Sequence, residues 1–546
     1  MAVKRLAGIA CSLTAALLAS SCAVGPDFLR PDAPPVERYT VEPTALRTSS
    51  APVANGHSQR FEPGKDVSGQ WWRMYRSRAL DALVDDALEH NPNLDAVKAA
   101  LQVARETTWA QYGAFFPLIQ LNYIPMRQQV PTSQLSTPLA APPTGGTTVF
   151  NLQTAQVLVS YTFDVWGVNR RTVESLQAQA DVERFLAEAA YLTLTSNVVV
   201  AAINEASLRA QIDATNKIID ANSKALDILR KQFNAGYAAR TDVAVQEAAL
   251  AQVRATLPPL RKQLQQTRDL ISALAGRFPS QEPPEKFVLA ALHLPTDLPL
   301  SLPSQLIQQR PDIRAAEEQV HSASAQVGVA IGNMLPTFTL SAAGGYTQPL
   351  FASSLFSQSN QFFTLAGGVL QPVFDGFTLW HRERAAEAAL EQSIAAYKVV
   401  VIGAAQNVAD ALRALQNDAD ALKAARDFER ASKISLDLAT QQLQTGQTNI
   451  LLLLAAQTTY QQSVIALVQA QANRLSDTAA LYQALGGGWW NRDDLAPKPP
   501  TDGAPPVLRS AGVPVLSALA AVHPVAPETA ATPASDTPAA DPAARN

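Results

Sequence analysis

The sequence predicts a mainly α protein with β, internally duplicated. Very long helices form a tube wall, an α-barrel, and four strands per chain join a shared transmembrane β-barrel, twelve in a trimer. Three observations predict it: a unit that occurs twice, two 65-residue runs almost free of helix breakers, and four short alternating segments.

The chain opens as an address. Lys4 and Arg5 precede an apolar stretch that ends at Ser20, Ser21 and Cys22. A positive start, an apolar core and small residues before the break make a signal peptide. The small-small-Cys ending resembles a bacterial lipoprotein box, with Cys22 as the acylated first residue of the mature chain. Ala19 stands where such boxes usually carry Leu, and Leu18 lies one step further out. Ala23, rather than Asp, after the Cys resembles an outer-membrane address. Residues 22–70 are rich in Pro and turn formers and read as an extended tether, since Pro neither continues a helix nor donates to a ladder.

The duplication comes next. Asn91-Pro92 and Arg310-Pro311 each open a helical pattern that reaches a second Pro, Pro117 or Pro336, 25 residues later. Proline suits the first turn of a helix, where its missing N–H costs nothing. Phe163-Asp164 matches Phe374-Asp375, QFNAGYAARTDV matches QLQTGQTNILLL, and ALAG (273–276) matches ALGG (484–487). Each half reads as helix, two strands, very long helix, turn, helix. Residues 171–235 hold no Pro or Gly, and residues 381–445 hold only Gly403. At 1.5 Å per residue such a run spans about 100 Å, too long for a compact globule. Leu412, Leu415, Leu422, Leu436 and Leu443 are interleaved with Ala and keep no strict heptad, which argues for a tube wall over a simple coiled coil. The flanking helices, 92–116 and 241–275 in the first half, together nearly match the long helix, so two laid end to end suit one wall. Pro258-Pro259 is expected to kink or interrupt the second of them.

Ile119, Leu121 and Tyr123 alternate with polar residues, as do Val157, Val159, Tyr161 and Phe163. Phe338 and Leu340, and Phe363, Leu365 and Val369, repeat the pattern in the second half. This is the signature of membrane β-barrel strands, and soluble hairpins share it locally. Four strands cannot close a barrel, and a sheet in lipid keeps no open edge, so three copies would supply twelve. Residues 127–148 and 348–361 are polar enough for loops on the outer face.

Composition excludes other classes. The 546 residues carry a formal net charge of −4, which gives no electrostatic case for nucleic acid. Beyond the N-terminus no span of 18 apolar residues stands out, which disfavours a helical membrane protein. Two cysteines and six scattered histidines offer no clustered metal ligands, and four methionines no soft-metal relay; no metal and no cofactor are expected. No GxSxG, GxxxxGK[ST], HExxH or CxxC motif marks an enzyme. The acid pairs Asp85-Asp86 and Glu317-Glu318 read as solvated helix faces. The chain divides into a signal peptide (1–21), a lipid-anchored tether (22–70), a first repeat (71–275), a connecting equatorial segment (276–301), a second repeat (302–490) and a disordered Pro/Ala-rich tail (491–546).

Several stretches resemble the outer membrane factor family, the TolC-like channels, and within it the lipoprotein subclass of efflux proteins. They are CAVGPDFLRP (22–31), LPSQLIQQRPDIRAAEEQV (302–320), NMLPTFTLSAAGGY (333–346) and LYQALGGGWW (481–490), within a match over about residues 22–490. The resemblance implies a passive homotrimeric duct in the outer membrane with a helical tunnel into the periplasm. It implies as partners a periplasmic membrane-fusion adaptor, an inner-membrane transporter and outer-membrane lipid. The same fold also serves type I protein secretion, the alternative to small-molecule efflux. In the family, helix-turn-helix tips close the periplasmic end. Here those turns are Gly236 to Asp242 and Gly446 to Leu452, with Gly tolerating φ > 0. Asp242 stands where relatives often carry a gate carboxylate, and three copies would make a ring that attracts cations. The other reading is helix capping by Asp242 or Thr241. At the second tip Leu452 and Ala455 replace the usual acids, so Leu451 and Leu452 are expected either to form an apolar constriction or to pack between helices.

Overall fold

The computed structural model describes residues 23–32, 35–36, 38–43, 45–131, 147–348, 354–445 and 447–492. The signal peptide, Cys22, Gly446, the two loop centres and the tail beyond Arg492 lie outside them. In chain order the elements are β1 (Arg60–Pro63), α1 (Arg78–His90), α2 (Pro92–Tyr112), β2 (Leu118–Pro131), β3 (Thr147–Phe163), α3 (Val168–Asn234) and α4 (Arg240–Leu274). There follow β4 (Asp297–Leu300), α5 (Pro303–Gln309), α6 (Pro311–Gly332), β5 (Thr337–Gln348), β6 (Gln361–Leu370), α7 (Thr378–Gln444) and α8 (Ile450–Ala484).

The duplication holds element by element. α3 and α7 are each 67 residues long, and α4 and α8 are each 35. Their starts are fixed in the same way. Asp164 accepts the Asn169 N–H at 2.9 Å, and Asp375 accepts the Leu379 N–H at 2.8 Å, satisfying donors that the first turn leaves open. Pro92 and Pro311 both sit at the first position of their helices. α4 runs unbroken through Pro258 and Pro259, contrary to the expected interruption. The carbonyls of Arg254 and Ala255, which those prolines leave without donors, lie on an exposed stretch where water can take them.

Three helices, α3, α7 and α8, are long and apolar enough to cross a membrane by length and composition, which the sequence reading had not found. Alanine-rich stretches nearly free of charge account for this. Length argues against spanning: 67 residues reach about 100 Å, against about 30 Å of hydrocarbon. The helices pack on one another instead. α2 lies on α3 as α6 lies on α7; α3 pairs with α4 as α7 pairs with α8; and α3 also meets α6 and α8. A common core at mid-height gathers Trp71, Trp72, Tyr75, Leu80, Val199, Ile203, Leu298, Ile313, Leu412, Leu415 and Leu475. Trp71 stacks on Tyr482 with ring centroids 5.4 Å apart.

The described residues between Ala23 and Gln70 are docked on the helical body. Among them β1 pairs in parallel with β4 of the equatorial segment. The remaining four strands form one antiparallel sheet in the order β2-β3-β5-β6. β2 reaches Pro131 and β3 begins at Thr147, so the ends of the expected 127–148 loop are strand.

Candidate functional site: a channel sector and its tip

The register makes the sheet two-faced. Ile119 pairs with Val159 and Leu121 with Val157; Phe163 pairs with Phe338, and Phe338 with Val369; Ala342 pairs with Leu365. Directly paired residues share a face, so all the alternating apolar residues picked out in the sequence fall on one side. Most are bare, Leu121 at 81% exposed and Phe363 at 87%, while Val159, Tyr161 and Phe338 are half-buried. The other side is mixed but carries the sheet's polar residues Gln120, Asn122, Gln156, Ser160, Thr162, Thr339, Ser341 and Thr364, beside Leu118, Ile124, Leu158 and Phe362. An apolar outer band over a polar inner face is the pattern of a membrane barrel with a wet lumen. β2 and β6 each have one neighbour, so the sheet has two open edges.

At the tip, Gly236 takes φ +81° with open space around it, the conformation for which glycine was expected. Asp242 is the third residue of α4 and half-buried; its Oδ2 accepts the Ala239 N–H at 3.1 Å. It therefore does cap, by reaching back, and Thr241 is not the cap, since the helix starts at Arg240 after Ala239. In the second tip Asn449 caps α8, accepting the Leu452 N–H at 3.2 Å. The leucine run divides. Ile450 and Leu453 pack into a cluster with Leu229 and Ala439, while Leu451 and Leu452 stand 60% and 45% exposed. Gly446 lies outside the described residues.

Sequence reasoning missed the docking of the N-terminal strap. The Val24 N–H donates to Trp166 O at 3.0 Å, and Arg171 donates to Asp27 at 2.6 Å and to Glu174 at 2.8 Å. Phe28 stacks on His321 at 4.4 Å. Hydrogen bonds to Glu174 and Glu318 outweigh burial and hold the His321 imidazole up at about 9. Glu317 was expected on a solvated face; it is 1% exposed and pairs with Arg30 and Arg314. Further along, Arg474 of α8 is fully buried and donates to Thr48, His57 and Gln59 of the strap. One signal was readable: Arg474 stands within the largely apolar, charge-poor helix of the second half.

A two-faced, open-edged sheet on a body of helices about 100 Å long defines a class of protein: an outer-membrane channel with a β domain and a helical barrel. Comparison narrows it. The family model for outer membrane efflux proteins matches residues 83–277 and 302–487, one match per repeat. The chain belongs to that family and is an efflux channel of the outer membrane. It is 28% identical over 449 residues to the pyoverdine export outer membrane protein OpmQ of Pseudomonas putida, covering 82% of this chain and 94% of the relative. It is 25% identical over 488 residues to the toluene efflux pump outer membrane protein TtgC of the same species, covering 88% and 96%. The fold is shared with the OprN channel, at a TM-score of 0.75 with 23% identity over 86% of this chain and all of that one. It is shared also with the Campylobacter jejuni CmeC channel, at 0.76 with 19% identity over 87% and 96%.

Proposed function

We propose that three copies close one twelve-stranded barrel and one helical tunnel, a passive duct that receives small molecules from a periplasmic adaptor and an inner-membrane transporter. One observation carries the assembly: α3 and α7 are equivalent, yet not equally covered. Half of the most apolar window of α3 is buried, against 11% of that of α7. Among the described residues α3 packs extensively on α2, α4, α6 and α8, whereas α7 packs so only on α6 and α8. Neighbouring copies supply what α7 lacks, and β6 of one copy meets β2 of the next. Relatives carry pyoverdine and toluene in their names, so one duct design serves unlike cargoes, and the cargo here is set by the pump that feeds it.

At the periplasmic end, Asp242 lines a ring of three carboxylates, and Leu451 and Leu452, exposed within one copy, face their counterparts as an apolar constriction that gates by dewetting. Cys22 carries the acyl chains that anchor the strap to the outer membrane. Light scattering in mild detergent tests the assembly: a mass of three chains supports it, and a folded monomer overturns it. Asp242→Asn tests the gate, because the amide oxygen still accepts the Ala239 N–H while the charge is gone. Entry of a large antibiotic such as vancomycin is expected to rise several-fold with Asp242→Asn. Unchanged entry at equal protein level leaves Asp242 a cap alone.

A further inference from the structure

The strap crosses a slot in the first repeat that has an unfilled twin in the second. The slot lies between the N-terminus of α3 and the C-terminal end of α6. A side chain at Gly167, before α3, would meet the Cα of Ala23 at 2.8 Å, and one at Gly328, in α6, would meet the Val24 carbonyl oxygen at 2.7 Å. Both positions are glycine because the strap backbone occupies that space. Aligned on their first helical residues, α3 with α7 and α2 with α6, the two repeats place Phe377 where Gly167 stands and Trp109 where Gly328 stands. Phe377 even keeps the left-handed backbone of Gly167, with φ +66° against +78°. That conformation is strained for a non-glycine residue, and within one chain the Phe377 ring is 64% exposed and meets Phe374 edge to face, with centroids 6.0 Å apart. Trp109 lies on α2 and Phe377 at the head of α7, and these helices share no extensive contact in one chain. In the closed ring they face each other between copies, as α6 faces α3 within one.

We infer that Trp109 of one copy and Phe377 of the next meet in this second slot, as an aromatic plug that stands in for strap residues 23–25. The inference rests on the trimeric reading and specifies its interface. A neighbouring pair supports the same geometry. Gly332 of α6 lies under Val168, whose Cβ is 3.7 Å from where a Gly332 Cβ would stand, whereas the equivalent Gly113 faces open space. In the ring Gly113 receives Thr378 of the next copy, the equivalent of Val168. Val103, 66% exposed, and Ala385 likewise stand where the first repeat has the buried Ser322–Ser175 hydrogen bond of 2.8 Å. An apolar pair between copies thus replaces a polar pair within one.

Disulfides test it, since a Cβ separation of about 3.5–4.5 Å permits one. In the whole chain in native membranes, Val168→Cys with Gly332→Cys is expected to oxidise within a single chain. Gly113→Cys with Thr378→Cys is expected to give covalent dimers and trimers that collapse on reduction, absent from the parent chain with its own cysteines. A second arm reads the plug itself: Trp109→Ala is expected to lower the temperature at which the detergent trimer dissociates by several degrees, and Trp109→Phe to restore most of it. A particle of three chains in which only the Val168/Gly332 pair oxidises overturns the inference and leaves the trimer standing. Linked trimers with an unmoved dissociation temperature in Trp109→Ala overturn the plug. A particle of one chain overturns the trimeric reading and the inference together.

Discussion

Arg474 shows what a single residue holds. Its guanidinium is fully buried and ties strap segments otherwise far away in sequence, with Nη2 2.6 Å from the His57 carbonyl and 3.0 Å from Thr48 Oγ1. Burial draws its pKa down to about 10, and Asp418 works against that. Arg474→Leu leaves buried neutral acceptors of the strap without their donor and is expected to cost about 1–3 kcal/mol. Limited proteolysis should then cut between residues 45 and 60, and an uncut strap would refute the clasp. Asp418, on α7, is the linked titrating group. Burial, and then the Asp477 carboxylate, push it up to about 7. An acid with a raised folded pKa holds its proton in the folded state while the unfolded chain has lost it. Stability on this account falls as pH rises from about 4 to about 7. Asp418→Asn is expected to flatten that slope, read as melting temperature against pH; an unchanged slope assigns the titration elsewhere. Beyond the lone charge of Arg474 in an apolar helix, none of this was legible beforehand, because burial of a polar side chain depends on which distant segment covers it. Asp242 was legible as a choice between gate and cap. Its local sequence contains the cap, whereas the ring needs two further chains.

Elements were far more readable than their partners. Both long helices, both 35-residue helices and all four membrane strands follow from local pattern, since each repeats its period over many residues. What failed was local in another sense. The Pro258-Pro259 step keeps its helix on a stretch where Arg254 and Ala255 are exposed to water. The seven-residue α5 is too short to announce itself, and the 13-residue α1 was missed although its amphipathic pattern, opened by Ser77, was readable. The sheet allows a test of which face is which. Leu121 and Gln120 are adjacent in β2 and belong to opposite faces. On the lipid side an arginine near the membrane midplane costs about 2–4 kcal/mol. Leu121→Arg is therefore expected to reduce assembled channel in the outer membrane severely, and Gln120→Arg to leave its amount near normal while altering conductance. Equal loss in both would mean that the two faces are not lipid and water.

At the scale of the whole molecule, the chain has, on the proposed reading, two ties to the outer membrane, an acylated Cys22 and a sheet closed among copies, which act in different ways. Each acyl chain on Cys22 contributes about 0.8 kcal/mol per buried CH₂, so that one chain alone binds reversibly and several together anchor stably. The sheet, once closed among copies, leaves no backbone group unsatisfied in lipid and does not come out. The strap between them is no slack leash: from Ala23 onward it is stitched to both repeats, by Arg171 to Asp27 and by Arg474 to His57. The anchor therefore serves delivery and orientation before closure, and adds little afterwards. If so, a Cys22→Ser chain sent out behind an ordinary secretory leader should lose palmitate labelling entirely yet still reach the outer membrane as the full assembly, more slowly than the parent. Pulse-chase fractionation reads both quantities at once. Persistent labelling would refute acylation at Cys22. A chain that folds but stays soluble in the periplasm would show that the sheet cannot insert unaided, making the lipid an obligatory step in building the barrel.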